Sequence, residues 1–179
     1  MFFVLGCIEL LTNWCSMTAS TAERPRVMVD MSATLIHHGH IRLLKKAAEI
    51  GDVVVVLTTD EEIKKKKGYT PELNFEERKE ILESIRYVKE VVAGPWLIND
   101  EFMDSVHCDL LVHGADNVNH VRPERLVIFP RTEGVSSSTL RERVLDCLIQ
   151  MNIDSKKGNT GDKVARFMIE LIKKEFRLE

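Results

Sequence analysis

The sequence has no excess of basic residues, no long hydrophobic run and no paired cysteines. Because its formal net charge is −3 and it contains no long basic stripe, nucleic acid is not expected to be the principal partner. No apolar run reaches the roughly 18 residues that a membrane-spanning helix needs, so we expect no membrane insertion. The four cysteines have neither CxxC nor zinc-ligand spacing, which favours a reduced, cytoplasmic setting.

The chain is long enough for one globular domain with an appendage at each end. It has 179 residues, of which 44% are hydrophobic and 30% charged, as in ordinary globular proteins. Residues 1–23 are predicted to be a poorly ordered extension, since their apolar run lacks the basic start of a signal peptide. Residues 24–150 are predicted to form the main domain, and residues 151–179 a linker and a C-terminal amphipathic helix. We expect the apolar stripe of that helix to pack against the domain or, alternatively, against a second copy of the chain.

Strand and helix patterns alternate from residue 24 onward. The predicted strands are 26–30, 52–59, 88–93, 109–113 and 126–129, and the predicted helices are 38–50, 75–85, 97–106 and 136–150. This alternation predicts an α/β fold: a doubly wound, Rossmann-like parallel sheet of five strands with flanking helices and a C-terminal helical extension. Ligands of such sheets bind outside the carboxyl ends of the strands.

The junction between the first strand and the first helix carries two histidines. The segment VMVDMSATLIHHGHIRLL passes from an apolar run through small residues to His37 and His40, with Gly39 between them. A helix start offers free backbone N–H groups and a positive dipole end, which suit phosphate. Gly39 removes a side chain where a ligand would approach the backbone. The pattern predicts nucleotide chemistry.

Two further segments are candidate anion-binding sites. Arg78 and Arg86 stand two helical turns apart in FEERKEILESIRYV, within about 80° around the helix axis, so both can face one anionic ligand. The segment PRTEGVSSST ends a predicted strand and runs directly into a helix. Its hydroxyl groups and the free N–H groups of that helix start are therefore expected to lie together.

Three sequence blocks, in this order and spacing, resemble the cytidylyltransferase family within the HxGH nucleotidyltransferase superfamily. The blocks are HHGHIRLLK, ERKEILESIRYV and PRTEGVSSS, and the resemblance covers about residues 26–145. The sequence resembles in particular the small bacterial glycerol-3-phosphate cytidylyltransferases, and DMSATLIHHGH is also similar to relatives that activate phosphonates. The resemblance implies transfer of CMP from CTP to a small phospho-alcohol with release of pyrophosphate, Mg²⁺ accompanying CTP, and a homodimer.

The resemblance also assigns roles to individual residues. It implies that the catalytic residues are His37, His40, Lys66, Arg78, Arg86 and Arg131. Lys66 is the best single choice within a lysine run that we expect to lie in a loop. The nucleotide-binding residues that it implies are Ser32, Gly39, Gly114, Asp116, Arg131, Thr132, Glu133, Gly134, Ser136 and Ser137. No metal site built from protein ligands alone is expected.

Two departures from the family pattern bear on function. Thr34 and Ala115 stand where the family usually has aspartates, so magnesium handling or substrate positioning is expected to differ. Asp30 and Asp116 are the nearest carboxylates that could compensate, and Asp60 could reach the acceptor. Structural or surface roles are expected for the remaining histidines, which include His107, His113 and His120.

Three alternatives remain open at the level of sequence. In the first alternative, the acceptor is a phosphonate such as 2-aminoethylphosphonate rather than glycerol 3-phosphate. In the second, the nucleotide is ATP and the protein is an adenylyltransferase of the same superfamily. In the third alternative, which Thr34 and Ala115 motivate, the domain binds a nucleotide without turnover.

Overall fold

A computed structural model of the protein describes residues 24–115, 118–155 and 166–171. The predicted extension 1–23, Asp116, most of the predicted linker and residues 172–179 lie outside the described residues. Among those described, no helix has the length and hydropathy needed to cross a membrane.

The core of the fold is one parallel sheet of five strands. The strands are β1 (Arg26–Met31), β2 (Asp52–Thr58), β3 (Val88–Gly94), β4 (Leu110–Gly114) and β5 (Leu126–Phe129). Their order is β3-β2-β1-β4-β5, and every neighbouring pair is parallel. The order reverses direction between β1 and β4, which opens a crevice at the carboxyl ends of these two strands. The predicted fold class is confirmed.

Helices cover both faces of the sheet. The helices are α1 (His38–Ile50), α2 (Asp60–Lys67), α3 (Phe75–Glu83), α4 (Asp100–Ser105) and α5 (Ser137–Ser155). Alternate residues of β1 point to opposite faces: Val27 and Val29 pack with Leu44 and Leu82, while Met28 packs with Met103 on the other face. The strands are therefore buried on both sides and hold the carboxyl-end loops on a rigid base.

Helix α2 was not predicted, and the lysine run that we expected in a loop forms its last turn. The Thr59 side chain caps this helix by accepting a hydrogen bond from the Glu62 backbone N–H, at 3.3 Å. Three acidic residues in the first turn and four lysines in the last complement the helix dipole. Gly68 ends the helix in the left-handed conformation, with φ of 78°.

Three helix boundaries differ from the prediction. Helix α3 ends at Glu83, so Arg86 lies in the turn that leads to β3 rather than on the helix. Helix α4 begins at Asp100, because Asn99 supplies its cap. Helix α5 extends to Ser155, past the predicted start of the linker.

Residues 166–171 of the predicted C-terminal helix are helical. Phe167, Met168 and Leu171 of its apolar stripe are exposed, by 64%, 53% and 46%. The expectation that this stripe packs against the domain is therefore wrong for these three side chains.

Candidate active site

A cavity of about 1070 Å³ opens at the carboxyl ends of the strands. Its walls come from the β1–α1 loop, the first turns of α1, the end of α2, the segment after β3 and the start of α5. Ten of the predicted site residues line it: Ser32, His37, Gly39, His40, Gly114, Arg131, Thr132, Glu133, Ser136 and Ser137. Residues that the sequence separates by about a hundred positions thus share one site, as the topology predicted.

His37 and His40 are fixed by the start of α1. His37 is the cap residue, and its Nδ1 accepts the Gly39 backbone N–H at 3.2 Å. The Nδ1 atom of His40 accepts the His37 backbone N–H at 3.3 Å. The two rings stack with their centroids 3.9 Å apart. Because each Nδ1 is an acceptor, each neutral ring carries its proton on Nε2 and can donate that proton in a hydrogen bond.

The pKa of His37 lies below its ordinary value of 6.5. Burial of the ring is the main cause, and the nearby positive charges of His38 and Arg131 add to it. His37 is therefore neutral at pH 7 and presents a single ring donor.

Gly39 has a different role from the one expected. A Cβ atom at this position would lie 2.9 Å from Cε1 and Nδ1 of the His37 ring and 3.3 Å from Cγ1 of Val135. The space that Gly39 leaves is thus filled by His37 itself, not by an approaching ligand. The glycine is required for the ring to fold back over the helix start.

The start of α5 is tied to the start of α1. The Ser136 hydroxyl accepts the Thr139 backbone N–H at 3.0 Å, and Ser137 donates to the Leu35 carbonyl at 3.3 Å. Gly134 supplies the left-handed turn before them, with φ of 72°. Two helix N-termini therefore meet at the cavity, which is a favourable environment for phosphate groups.

Lys67, rather than the predicted Lys66, is the lysine that lines the cavity. Its Nζ donates to the Ser32 hydroxyl at 3.0 Å and lies 5.4 Å from the centroid of the Trp96 ring. Because successive helical residues are rotated by about 100°, Lys66 faces away from this wall. The lysine run is the last turn of α2 rather than a loop, and a catalytic role for Lys66 stays a prediction.

Arg78 is a structural residue beneath the cavity and does not line it. Its side chain is fully buried, and Nη2 contacts Asp60 Oδ1 at 2.5 Å. Nη1 donates to the Ser32 carbonyl at 2.6 Å and Nη2 to the Thr58 carbonyl at 3.0 Å. Arg78 thus joins the ends of β1 and β2, and Asp60, which we expected near the acceptor, is its counter-ion.

Arg86 lies apart from the cavity. It is exposed, and its Nη2 donates to the Tyr87 hydroxyl at 2.6 Å. The prediction that Arg78 and Arg86 face one anionic ligand is wrong, because α3 ends between them and Arg78 is buried. A catalytic role for Arg86 stays a prediction.

Sequence reasoning missed several residues that line the cavity, above all His113 and Arg141. His113 is 3% exposed, its Nδ1 lies 2.5 Å from the Gly114 carbonyl, and among the described residues its Nε2 has no hydrogen-bond partner. Arg141 lies one helical turn after Ser137, a spacing that could have indicated it. Tyr69 and Trp96 also line the cavity, and no sequence signal points to them.

The described residues suit magnesium that arrives with a nucleotide. They contain no group of three or more His, Cys, Asp or Glu side chains that could hold a metal ion. Asp30, Glu49 and Glu133 do line the cavity. Mg²⁺ is commonly held by one or two carboxylates together with substrate phosphates, so this arrangement fits such an ion.

Comparison with known proteins identifies the family. The cytidylyltransferase-like family matches residues 32–143. An ethanolamine-phosphate cytidylyltransferase of Dictyostelium discoideum is 37% identical over 144 residues, which are 73% of this chain but 40% of that protein. A glycerol-3-phosphate cytidylyltransferase of Staphylococcus aureus is 36% identical over 127 residues, covering 66% of this chain and 94% of that protein.

Two other similarities extend the comparison. An FAD synthase of Pyrococcus abyssi is 41% identical over 96 residues, covering 52% of this chain and 65% of that protein. The crystal structure of a lipopolysaccharide core biosynthesis protein from Thermoplasma volcanium has a TM-score of 0.52 at 20% identity, covers 61% of this chain and 98% of that one, and shows the likeness of fold alone. The prediction made from the three sequence blocks is confirmed: the chain belongs to the cytidylyltransferase-like family of enzymes.

Proposed function

We propose that the chain transfers CMP from CTP to a small phosphorylated or phosphonate acceptor and releases pyrophosphate. The observation that carries this proposal is the convergence of His37, His40, Arg131 and the start of α5 on one cavity. Two imidazole donors, positive side chains and two helix N-termini together suit a triphosphate. The names of two similar proteins, an ethanolamine-phosphate and a glycerol-3-phosphate cytidylyltransferase, support cytidylyl transfer.

The proposed reaction is a single in-line displacement. An ionised oxygen of the acceptor forms a bond to the α-phosphorus of CTP, and the bond from that phosphorus to the bridging oxygen breaks. Pyrophosphate leaves with the electron pair, and no covalent enzyme intermediate is needed. Magnesium bound with CTP would neutralise charge on the phosphates.

The residues of the chain act by positioning and by stabilising charge. His37 and His40 donate Nε2–H to phosphate oxygens, and the backbone already holds both rings, so little reorganisation accompanies the reaction. Arg131 and Lys67 supply positive charge from two different walls of the cavity, after β5 and at the end of α2. Removal of one such donor costs about 10²–10³ in rate.

Adenylyl transfer is the second candidate, favoured by the similarity to an FAD synthase. The acceptor is also open: a phospho-alcohol resembling glycerol 3-phosphate, ethanolamine phosphate or 2-aminoethylphosphonate. The homodimer and the cytoplasmic location stay predictions.

The decisive experiment combines one nucleotide with one acceptor. The full chain is incubated with magnesium, CTP or ATP, and glycerol 3-phosphate, ethanolamine phosphate or 2-aminoethylphosphonate. Pyrophosphate release is measured, and the product is identified from its mass by mass spectrometry. We expect release that requires CTP and one acceptor and stops when EDTA removes magnesium. Calorimetric binding of CTP without turnover of any acceptor would instead identify a nucleotide-binding module.

A further inference from the structure

Arg141 is a cation of the cavity wall whose side chain is held on three sides. Its Nε and Nη2 donate to the two carboxylate oxygens of Glu72, the second at 2.6 Å. Nη2 also donates to Oγ1 of Thr34 at 3.2 Å, and the guanidinium lies 4.8 Å from the centroid of the Tyr69 ring. These contacts use Nε and both N–H groups of Nη2. The Tyr69 hydroxyl also forms a side-chain hydrogen bond with the guanidinium, and because it can accept only one N–H group, at least one N–H group of Nη1 is left for a ligand.

Glu72 determines where the guanidinium lies. It belongs to the segment between α2 and α3, 69 residues away from Arg141 in the chain. The hydrogen bond from Arg141 lowers the pKa of Glu72 below its ordinary value, so the carboxylate stays ionised. A paired, two-point contact fixes the plane of a guanidinium, which a single charge would not do.

Arg141 stands in the second turn of α5, and its guanidinium contacts Glu72 and Tyr69 of the segment that follows α2. Tyr69 follows α2 and Trp96 follows β3, so these walls belong to the β2 and β3 half of the sheet. Arg131 follows β5 at the opposite edge. His37 follows β1, the central strand of the sheet. The cavity therefore has positive side chains on more than one wall, beside Glu72 and after β5, and imidazole donors at the start of α1.

A nucleotidyl transfer requires two anion-binding regions in one cavity. The triphosphate and the acceptor are both anions, and they must approach the α-phosphorus from opposite sides for in-line displacement. Once the first turn of α5 and Arg131 hold the nucleotide, the guanidinium of Arg141, which contacts Glu72 and Tyr69, is left for the other anion.

We propose that Arg141 binds the phosphoryl or phosphonyl oxygens of the acceptor through Nη1, and that Glu72 is a positioning residue for Arg141. The assignment rests on the proposed function. Phosphate monoesters and phosphonates carry the same anionic oxygens, so Arg141 is expected to act on both.

The first test distinguishes an effect on acceptor binding from an effect on CTP binding. Arg141→Gln is expected to raise the acceptor KM about 10- to 100-fold, the range for a lost hydrogen bond between charged groups. The CTP dissociation constant, measured by calorimetry, is expected to change less than threefold. Arg141→Lys keeps the charge but not the two-point contact, so an intermediate KM is expected. Arg122→Gln is the matched control: Arg122 pairs with Asp100 at 3.2 Å on the surface, outside the cavity.

The second test uses the position of Thr34, whose hydroxyl accepts a hydrogen bond from Nη2 of Arg141. Glu72→Gln is expected to raise the acceptor KM with little change in kcat, because the guanidinium loses its orientation. Thr34→Asp introduces a carboxylate beside the same Nη2 atom, so it is expected to restore much of the KM of Glu72→Gln in the double variant. A merely structural role of Glu72 would give no such rescue. These variants also carry the test if Arg141→Gln fails to fold.

The outcomes distinguish this inference from the proposed function. Wild-type turnover with an acceptor KM insensitive to Arg141→Gln and Arg141→Lys, or a selective loss of CTP affinity, overturns the assignment of Arg141 alone. Wild-type protein that binds an acceptor in calorimetry, loses that binding in Arg141→Gln and yet never turns over supports the assignment and overturns the proposed function. The measurements are made with glycerol 3-phosphate and 2-aminoethylphosphonate in parallel, which shows which anion is the natural source.

Discussion

The substitution Gly39→Ala is expected to disable the site while leaving the fold intact. The new methyl group would lie 2.9 Å from two atoms of the His37 ring, where ordinary contact begins at about 3.4 Å. The ring must therefore retreat by about 0.5 Å, which weakens the 3.2 Å hydrogen bond from the Gly39 N–H to Nδ1. His40 is affected too, because its ring stacks on that of His37.

The magnitudes follow from general values. Catalytic groups must be held within about 0.5 Å of their productive positions, and larger misplacement costs up to about 10²-fold in rate. We expect kcat to fall about 10- to 100-fold. Stability should hardly change, because alanine is better than glycine in a helix by about 1 kcal/mol, which offsets the displacement of one partly exposed ring.

The assay is pyrophosphate release together with urea unfolding of the same preparation. His38→Ala is the matched control, since His38 lies in the same helical turn but is exposed and does not line the cavity. We expect it to retain wild-type turnover. A folded Gly39→Ala protein whose kcat lies within threefold of wild type would refute the reasoning.

Three further predictions concern single side chains. His40→Ala is expected to lower kcat about 10²–10³-fold with an unchanged urea midpoint, and near-normal pyrophosphate release would contradict the role of its Nε2 donor. Arg78→Met is expected to cost about 3–5 kcal/mol in urea unfolding, because it removes the buried partner of Asp60 and of two carbonyl groups; a loss below about 1 kcal/mol would show that Arg78 is not structural. His37 is expected to titrate below 6.5 by NMR in the free protein and at higher pH with CTP bound, since a polyanion stabilises the imidazolium. Because its folded pKa is lowered, His37 also reduces stability as the pH falls below 6.5, and the variant His37→Asn should lack that loss.

Local patterns were sufficient for the sheet and for most helices. The run VVVV in β2 has no alternation and is buried on both faces, as a central parallel strand requires. The start of α1 and the capping of α3 by Asn74 follow from signals within a few residues. Helix α2 was predictable by the same rules, because a threonine cap, three acidic residues and a glycine stop bound the lysine run.

The site was predictable where the motif residues directly follow the end of a strand. His37, His40, Arg131 and Ser136 follow the ends of strands, and the parallel topology brings such ends together. Arg78 could not be assigned in this way, because its position on α3 does not reveal that the buried guanidinium bonds to Asp60 and to the carbonyl group that follows β1. A run of four lysines shows no periodicity, so the sequence does not reveal which lysine faces the cavity. In the structure the rotation along the helix places Lys67, and not Lys66, on the cavity wall.

The amino-acid order by itself determined the alternation of strand and helix and the chemistry of the helix starts, because capping, periodicity and propensity act over a few residues. The tertiary structure alone decided which charges face the cavity and which are neutralised beneath it. Arg141 and Glu72 lie 69 residues apart, and only the packing of α5 beside the segment after α2 makes them partners. Electrostatic interactions depend on distance in space rather than along the chain, so no local pattern could have revealed that pair.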